Sequence, residues 1–197
     1  MKRTLISLAA ILISLATSAQ ERTYSVPDFV IDLWPEGAPT ENGLSGPERD
    51  FGTHVSNVTE PTLAVFLPEK PNGLAVILCP GGGYSSIWDK TEGYYRADWY
   101  RQQGIVYAVL KYRLPNGHEE VPLDDVHRAM SILKSHAEEY GITKVGIAGC
   151  SAGGHLAATA ATHYSTSDER PDFQILFYPV ISFQPGIGHM GSAYNLL

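Results

Sequence analysis

The chain has 197 residues, 14 basic against 21 acidic side chains, a formal net charge of −7 and 44% hydrophobic residues. That balance argues against a nucleic-acid partner or an anionic membrane surface, both of which need a basic face. Two cysteines cannot build a disulfide scaffold, and the length suits one domain with a real core.

Residues 1–19 read as a secretory signal peptide. Lys2 and Arg3 precede an apolar run over 5–15, and Ala16-Thr17-Ser18-Ala19 offers small residues for cleavage. The run is too short to span a membrane, so the mature protein is expected to have no membrane span and to work secreted or in the periplasm. No cysteine follows the cleavage site to carry a lipid. Losing Lys2 and Arg3 takes the net charge from −7 to −9 and leaves about 178 residues, 20–197, as one domain. The sequon-like Asn57-Val58-Thr59 is read as a chance match beside a bacterial-type signal.

Residues 20–52, rich in Pro and Gly, form a lead-in with an edge strand over 29–34. A strand is expected over 62–67, a turn over 68–73, and a buried strand over 74–79, where Leu, Ala, Val, Ile and Leu run together. A helix over 93–103 stops at Gly104, and a buried strand follows over 105–110. Pro122 suits a helix start, and Leu123, Val126, Met130, Leu133 and Ala137 keep helical spacing to Tyr140, with Gly141 as the cap. A strand over 144–148, a helix over 152–163 and a last strand over 173–181 complete the series. Strands alternating with helices predict a largely parallel sheet covered on both faces.

Two motifs carry chemistry. Gly149-Cys150-Ser151-Ala152-Gly153-Gly154 is a Gly-x-Ser-x-Gly pattern between a strand and a helix. A sharp turn there strains the serine backbone, and the flanking glycines leave room where a β-carbon would clash. The turn lifts the Ser151 hydroxyl off the sheet and aims the first N–H groups of the helix at whatever it attacks. Ser151 is therefore the candidate nucleophile. The second motif, Pro80-Gly81-Gly82-Gly83-Tyr84, ends a buried strand with three costly glycines. Beside such a serine, the triplet reads as backbone N–H groups approaching an oxyanion rather than as a flexible turn.

With these motifs the chain resembles serine hydrolases of the α/β-hydrolase fold, and more narrowly the bacterial secreted acetylxylan and other carbohydrate esterases related to the hormone-sensitive-lipase group. The resemblance rests on residues 33–39, 79–84, 111–117, 149–155 and 177–181. It implies a three-layer α/β sandwich with a mostly parallel sheet, and oxyanion N–H groups from Gly82, Gly83 and Ala152. Pro80 stands where the wider lipase group usually has His, which points to the carbohydrate-esterase branch. The implied reaction is cleavage of a short-chain acyl ester, foremost acetyl on a small molecule or on a polysaccharide such as xylan, with no cofactor and no metal.

In this fold the acid and the histidine base follow the serine on later strand ends. After Ser151 only one more strand is expected, so the fold is read as incomplete at its C-terminus, lacking the last strand–helix units. Asp172 precedes the last strand and should sit at the wrong end of the sheet, and Asp168 offers no better acid. His163 ends the helix after the elbow, about 18 Å along its axis at 1.5 Å per residue. His189 is the one histidine a loop can bring close, although a lid or surface role suits it better. His155 should pack and hydrogen-bond, and His127 and His136 read as surface or packing residues. Tyr84, Trp88 and Tyr94 line a pocket or simply pack. Arg113 with Asp124 or Asp125 reads as a structural ion pair. Cys79 and Cys150 end neighbouring strands and read as buried thiols, with a bridge conceivable. Two other functions stay open: a serine peptidase of the same fold, and a non-catalytic truncated remnant.

Overall fold

Five apolar residues in a row make Leu74–Cys79 a strand that must be covered on both faces, and the chain is organised around it. The computed structural model describes residues 23–197, so the expected signal peptide over 1–19 lies outside the described residues. In chain order the elements are β1 (Phe29–Asp32), β2 (Arg49–Asp50), β3 (Val55–Ser56), β4 (Thr62–Phe66), β5 (Leu74–Cys79), β6 (Ser86–Ile87), α1 (Ala97–Gln102), β7 (Val106–Lys111), α2 (Glu120–Ser135), β8 (Lys144–Cys150), α3 (Ser151–Thr162), β9 (Gln174–Phe177) and α4 (Met190–Leu196).

Six strands form the main sheet in the order β1-β4-β7-β5-β8-β9. β4 is antiparallel to β1 and β7, and β7, β5, β8 and β9 run parallel. Alternation along each strand divides the core in two. Ala75, Ile77 and Cys79 pack with Val126, Met130 and Ala157 of α2 and α3 on one face. Val76 and Leu78 pack with Ala97 and Tyr100 of α1 on the other. This is the expected three-layer α/β-hydrolase architecture. A second, three-stranded sheet, β2-β3-β6, flanks it.

Several boundaries differ from expectation, each for a local reason. The helix expected over 93–103 begins only at Ala97, after a π turn over Asp89–Gly93 and a 3₁₀ turn over Tyr94–Arg96. Gly93 is pressed against Val109, whose Cγ1 lies 2.5 Å from where a β-carbon would stand, and the chain enters α1 through that contact. α2 ends at Ser135 rather than near Tyr140: residues 136–141 continue as turns, with the Tyr140 N–H still donating to the His136 carbonyl at 3.0 Å, and Gly141 closes them at φ +65°. β9 stops at Phe177, since Tyr178 takes φ +36° and Pro179 has no N–H to offer. The small sheet was not expected at all, for its two-residue strands are too short to show a period. Cys79 and Cys150 are buried free thiols in opposite core layers, so the conceivable bridge is not formed.

Candidate active site

Cys150 ends β8 in an extended conformation, and Ser151 turns to φ +50° as the first residue of α3. Left-handed backbone at a residue with a side chain costs about 1–2 kcal/mol, so the surroundings must enforce it. They do so by close backbone approach. A β-carbon on Gly149 would stand 2.1 Å from the Gly153 carbonyl oxygen. One on Gly153 would stand 2.1 Å from the Cys79 oxygen and 2.3 Å from that of Pro80. Gly153 thus lets the first turn of α3 rest on the end of β5.

The glycine loop closes on the same place. At Gly81 a β-carbon would meet the Cys150 carbonyl oxygen at 2.9 Å and Ser151 Cβ at 3.1 Å, so the loop lies directly against the serine. Gly82 adopts φ +137° and Gly83 φ +63°, and the Gly82 carbonyl accepts from the N–H groups of Ser85 and Ser86. Gly81 donates its N–H to Glu92 Oε2 at 2.5 Å, whereas the N–H groups of Gly82 and Gly83 donate to nothing among the described residues. Ser151, Ala152, Gly82 and Gly83 therefore gather at the carboxyl ends of the adjacent strands β5 and β8, where open α/β sheets receive ligands.

Glu92 is the residue that sequence reasoning missed. Its other oxygen, Oε1, accepts from the Tyr178 hydroxyl at 2.8 Å. Val180, two residues on, donates its N–H to the Ser151 carbonyl at 3.0 Å. Glycine loop, elbow and the exit from β9 are thereby tied together around the serine. Burial, then the bond to Glu92, pushes the Tyr178 phenol well above its ordinary range, so it stays a donor. Arg96 donates to the Glu92 carbonyl and to Cys150 Sγ on the far side. A carboxylate eleven residues past Gly81 has no sequence signature; only the fold brings it back.

Among the described residues no imidazole is hydrogen-bonded to the Ser151 hydroxyl. His155 shares its Nδ1 with the Tyr84 hydroxyl at 2.9 Å, and burial, partly offset by Glu119, lowers its affinity for a proton. His189 caps α4, its Nδ1 accepting from Ser192 N at 3.2 Å and pairing with Ser192 Oγ at 2.8 Å. Its Cε1 lies 3.8 Å from the β-carbon position of Gly83, and Asn195 Nδ2 donates to the Gly83 carbonyl at 2.8 Å, so α4 rests on the glycine loop. Asp172 bonds the Val145 N–H at the far end of β8, as expected, and Asp168 and His163 are exposed. His136 stacks on Tyr140, and His127 Nε2 is buried without a partner.

The three aromatics do not share a pocket. Tyr84 is buried against Tyr112 and His155, Tyr94 sits edge-on to Phe66 on the α1 face, and Trp88 stacks on His54, which stacks on Phe51. Arg113 and Asp125 form the buried ion pair at 2.7 Å, with the Trp34 indole donating to Asp125 at 2.7 Å, while Asp124 accepts from Thr40. A cavity of about 610 Å³ opens beside the glycine loop, with Tyr84, Ser85 and α4 in its wall; Ser151 is not part of that wall. Among the described residues there is no cluster of metal-ligating side chains and no helix long and apolar enough to cross a membrane.

Sheet order, helix placement and a serine at the β8–α3 turn define an α/β-hydrolase fold. Residues 63–177 match the BD-FAE family, more than half of the chain, and the protein belongs to that family. It is 42% identical over 151 residues to an acetylxylan esterase of Xylanibacter ruminicola, covering 76% of this chain and 31% of that protein. It is 32% identical over 190 residues to endo-1,4-beta-xylanase B of Butyrivibrio fibrisolvens, covering 80% of this chain and 30% of that one. The chain thus spans about a third of the curated relatives it matches. Among solved structures, the acetyl ester-xyloside bifunctional hydrolase of Caldicellulosiruptor lactoaceticus superposes with a TM-score of 0.64 at 32% identity, over 87% of this chain and 64% of that one.

Proposed function

We propose that the protein is the nucleophile-bearing part of a secreted serine esterase that removes short acyl groups, foremost acetyl, from xylan-type carbohydrate. The observation that carries this is Ser151 at φ +50° with the glycine loop against its side chain. Ser151 Oγ attacks the ester carbonyl carbon while its proton passes to a general base, a role that none of the described imidazoles is hydrogen-bonded to fill. Negative charge gathers on the former carbonyl oxygen, in reach of the N–H groups of Gly82, Gly83 and Ala152. The bond to the sugar oxygen breaks, the sugar leaves with the returned proton, and water then releases the acid from Ser151. Removing one oxyanion donor in such sites typically costs about 2.7–4 kcal/mol of transition-state stabilisation. Relatives named for acetylxylan and xyloside hydrolysis support the substrate class, and the basic–apolar–small pattern over 1–19 supports secretion.

The test is a comparison of leaving groups. Aryl acetate and acetylated xylo-oligosaccharide should be cleaved faster than peptide anilides, and Ser151→Ala should abolish acetate release. Faster anilide cleavage would make the protein a peptidase of the same fold. Acetate release that survives Ser151→Ala would remove the serine from the mechanism.

A further inference from the structure

The small sheet sorts its side chains by strand alternation. Arg49 pairs with Ser56, and Asp50 with Val55. The first pair faces the 610 Å³ cavity; the second faces a separate pocket with Asp89 and Lys111. Arg49 is exposed and has no ion-pair or hydrogen-bond partner among the described residues. The acids beside it in sequence are turned elsewhere. Glu48 is held by Lys111 and by the N–H groups of Thr59 and Glu60, and Asp50 accepts from the Gly52 N–H. In a chain of net charge −7, this cavity contains one arginine and no carboxylate.

The rest of the wall suits a sugar. Ser56, Ser85, Asn116 and Tyr194 bring hydroxyl and amide groups, and the volume falls within the range of about 300–1,000 Å³ usual for ligand pockets. Its position matters as much. Tyr84 and Ser85 directly follow Gly83, and Asn195, in the same wall, donates to the Gly83 carbonyl. A ligand here lies next to the oxyanion loop without covering Ser151.

We propose that this cavity is a subsite for a carboxylate-bearing sugar, a uronic acid carried on the same polysaccharide, with Arg49 pairing its carboxylate. The inference rests on the carbohydrate-esterase reading and adds a substrate preference to it: acyl groups are removed preferentially beside an acidic substituent. The guanidinium can meet a carboxylate through two parallel hydrogen bonds, and because the site is open to solvent the gain is modest and falls with salt.

Binding to the whole chain tests this apart from catalysis. Two xylo-oligosaccharides of equal length are titrated, one carrying a single uronic acid and one neutral. At low salt the acidic one should bind roughly five- to tenfold more tightly, with the preference shrinking as salt rises. Arg49→Ala should erase the preference and leave neutral binding unchanged, and Arg49→Lys should keep part of it. Free glucuronate should displace the acidic oligosaccharide far better than acetate does. Equal affinities in the wild type, a preference that survives Arg49→Ala, or acetate competing as well as glucuronate would each overturn the proposal while leaving the esterase reading intact. Failure of both oligosaccharides to bind, with aryl acetate still cleaved, would overturn it together with the carbohydrate part of that reading.

Discussion

β8 and β9 are hydrogen-bonded neighbours built to different standards. After its first residue every position of β8 is buried, and its end is clamped by the glycine loop and by the first turn of α3. β9 alternates exposed and half-buried residues along the edge of the sheet. Beside it runs an apolar groove of about 480 Å³ where Phe173, Ile175 and Phe177 face Tyr100 and Val76. The close approaches at the end of β8 hold Ser151 in place, and β9 joins that place through its exit segment at Tyr178 and Val180.

The sharpest way to break this contrast is to add one methyl group at the clamp. Gly153→Ala places a β-carbon about 2 Å from two backbone carbonyls that cannot yield. It should cost at least about 3 kcal/mol, or prevent folding. Gly186→Ala, in open space but at φ +88°, should cost about 1 kcal/mol. Denaturant titration of both separates close approach from backbone strain, and equal losses would refute the clamp. Next in size is a pair of truncations. Ile147→Ala in β8, fully buried, should cost about 2–5 kcal/mol, and Ile175→Ala in β9 less than about 1 kcal/mol. Similar losses would mean that the edge strand is as well packed as the centre.

Glu92 sharpens the comparison by linking the glycine loop after β5 to the exit from β9. Glu92→Ala should lower kcat roughly a hundredfold with KM little changed, because it frees the Gly81 N–H and loosens the loop whose Gly82 and Gly83 N–H groups are proposed as oxyanion donors. Glu92→Gln, which keeps an acceptor for Gly81, should recover about tenfold of that. A change confined to KM would place Glu92 in substrate binding instead. The smallest effect concerns pH. His155 binds a proton less readily in the folded protein than its ordinary value of 6.5, so as pH falls through that value the unfolded chain protonates first and stability is lost. His155→Phe should flatten the stability profile below about pH 6.5, and an unchanged slope would show that His155 titrates normally.

What was legible in the sequence follows the same division. The strands at 62–66, 74–79, 106–111 and 144–150, the elbow at Ser151 and the glycine loop were all visible. Each is written by neighbouring residues, as apolar runs or as glycines that a tight turn requires. The early stop of α2 at Ser135 left no mark in the spacing, because Ala137 and Tyr140 keep the helical period through the turns that follow. The small sheet, Glu92 and the seating of α4 on Gly83 depend on partners far away in the chain; Asn195 bonds a carbonyl 112 residues earlier. Arg49 lies in the Pro- and Gly-rich stretch 20–52 and carries no signal of its own; its pairing with Ser56 assigns it a side of the small sheet.

The claim that everything else needs is that Ser151 is an activated nucleophile. Treating the whole chain with an alkyl fluorophosphonate and mapping the adduct by peptide mass spectrometry tests it most directly. The account predicts modification at Ser151, its loss in Ser151→Ala and slower modification in Glu92→Ala. Labelling at other residues, or no labelling where another α/β-hydrolase serine esterase is fully modified, would contradict it.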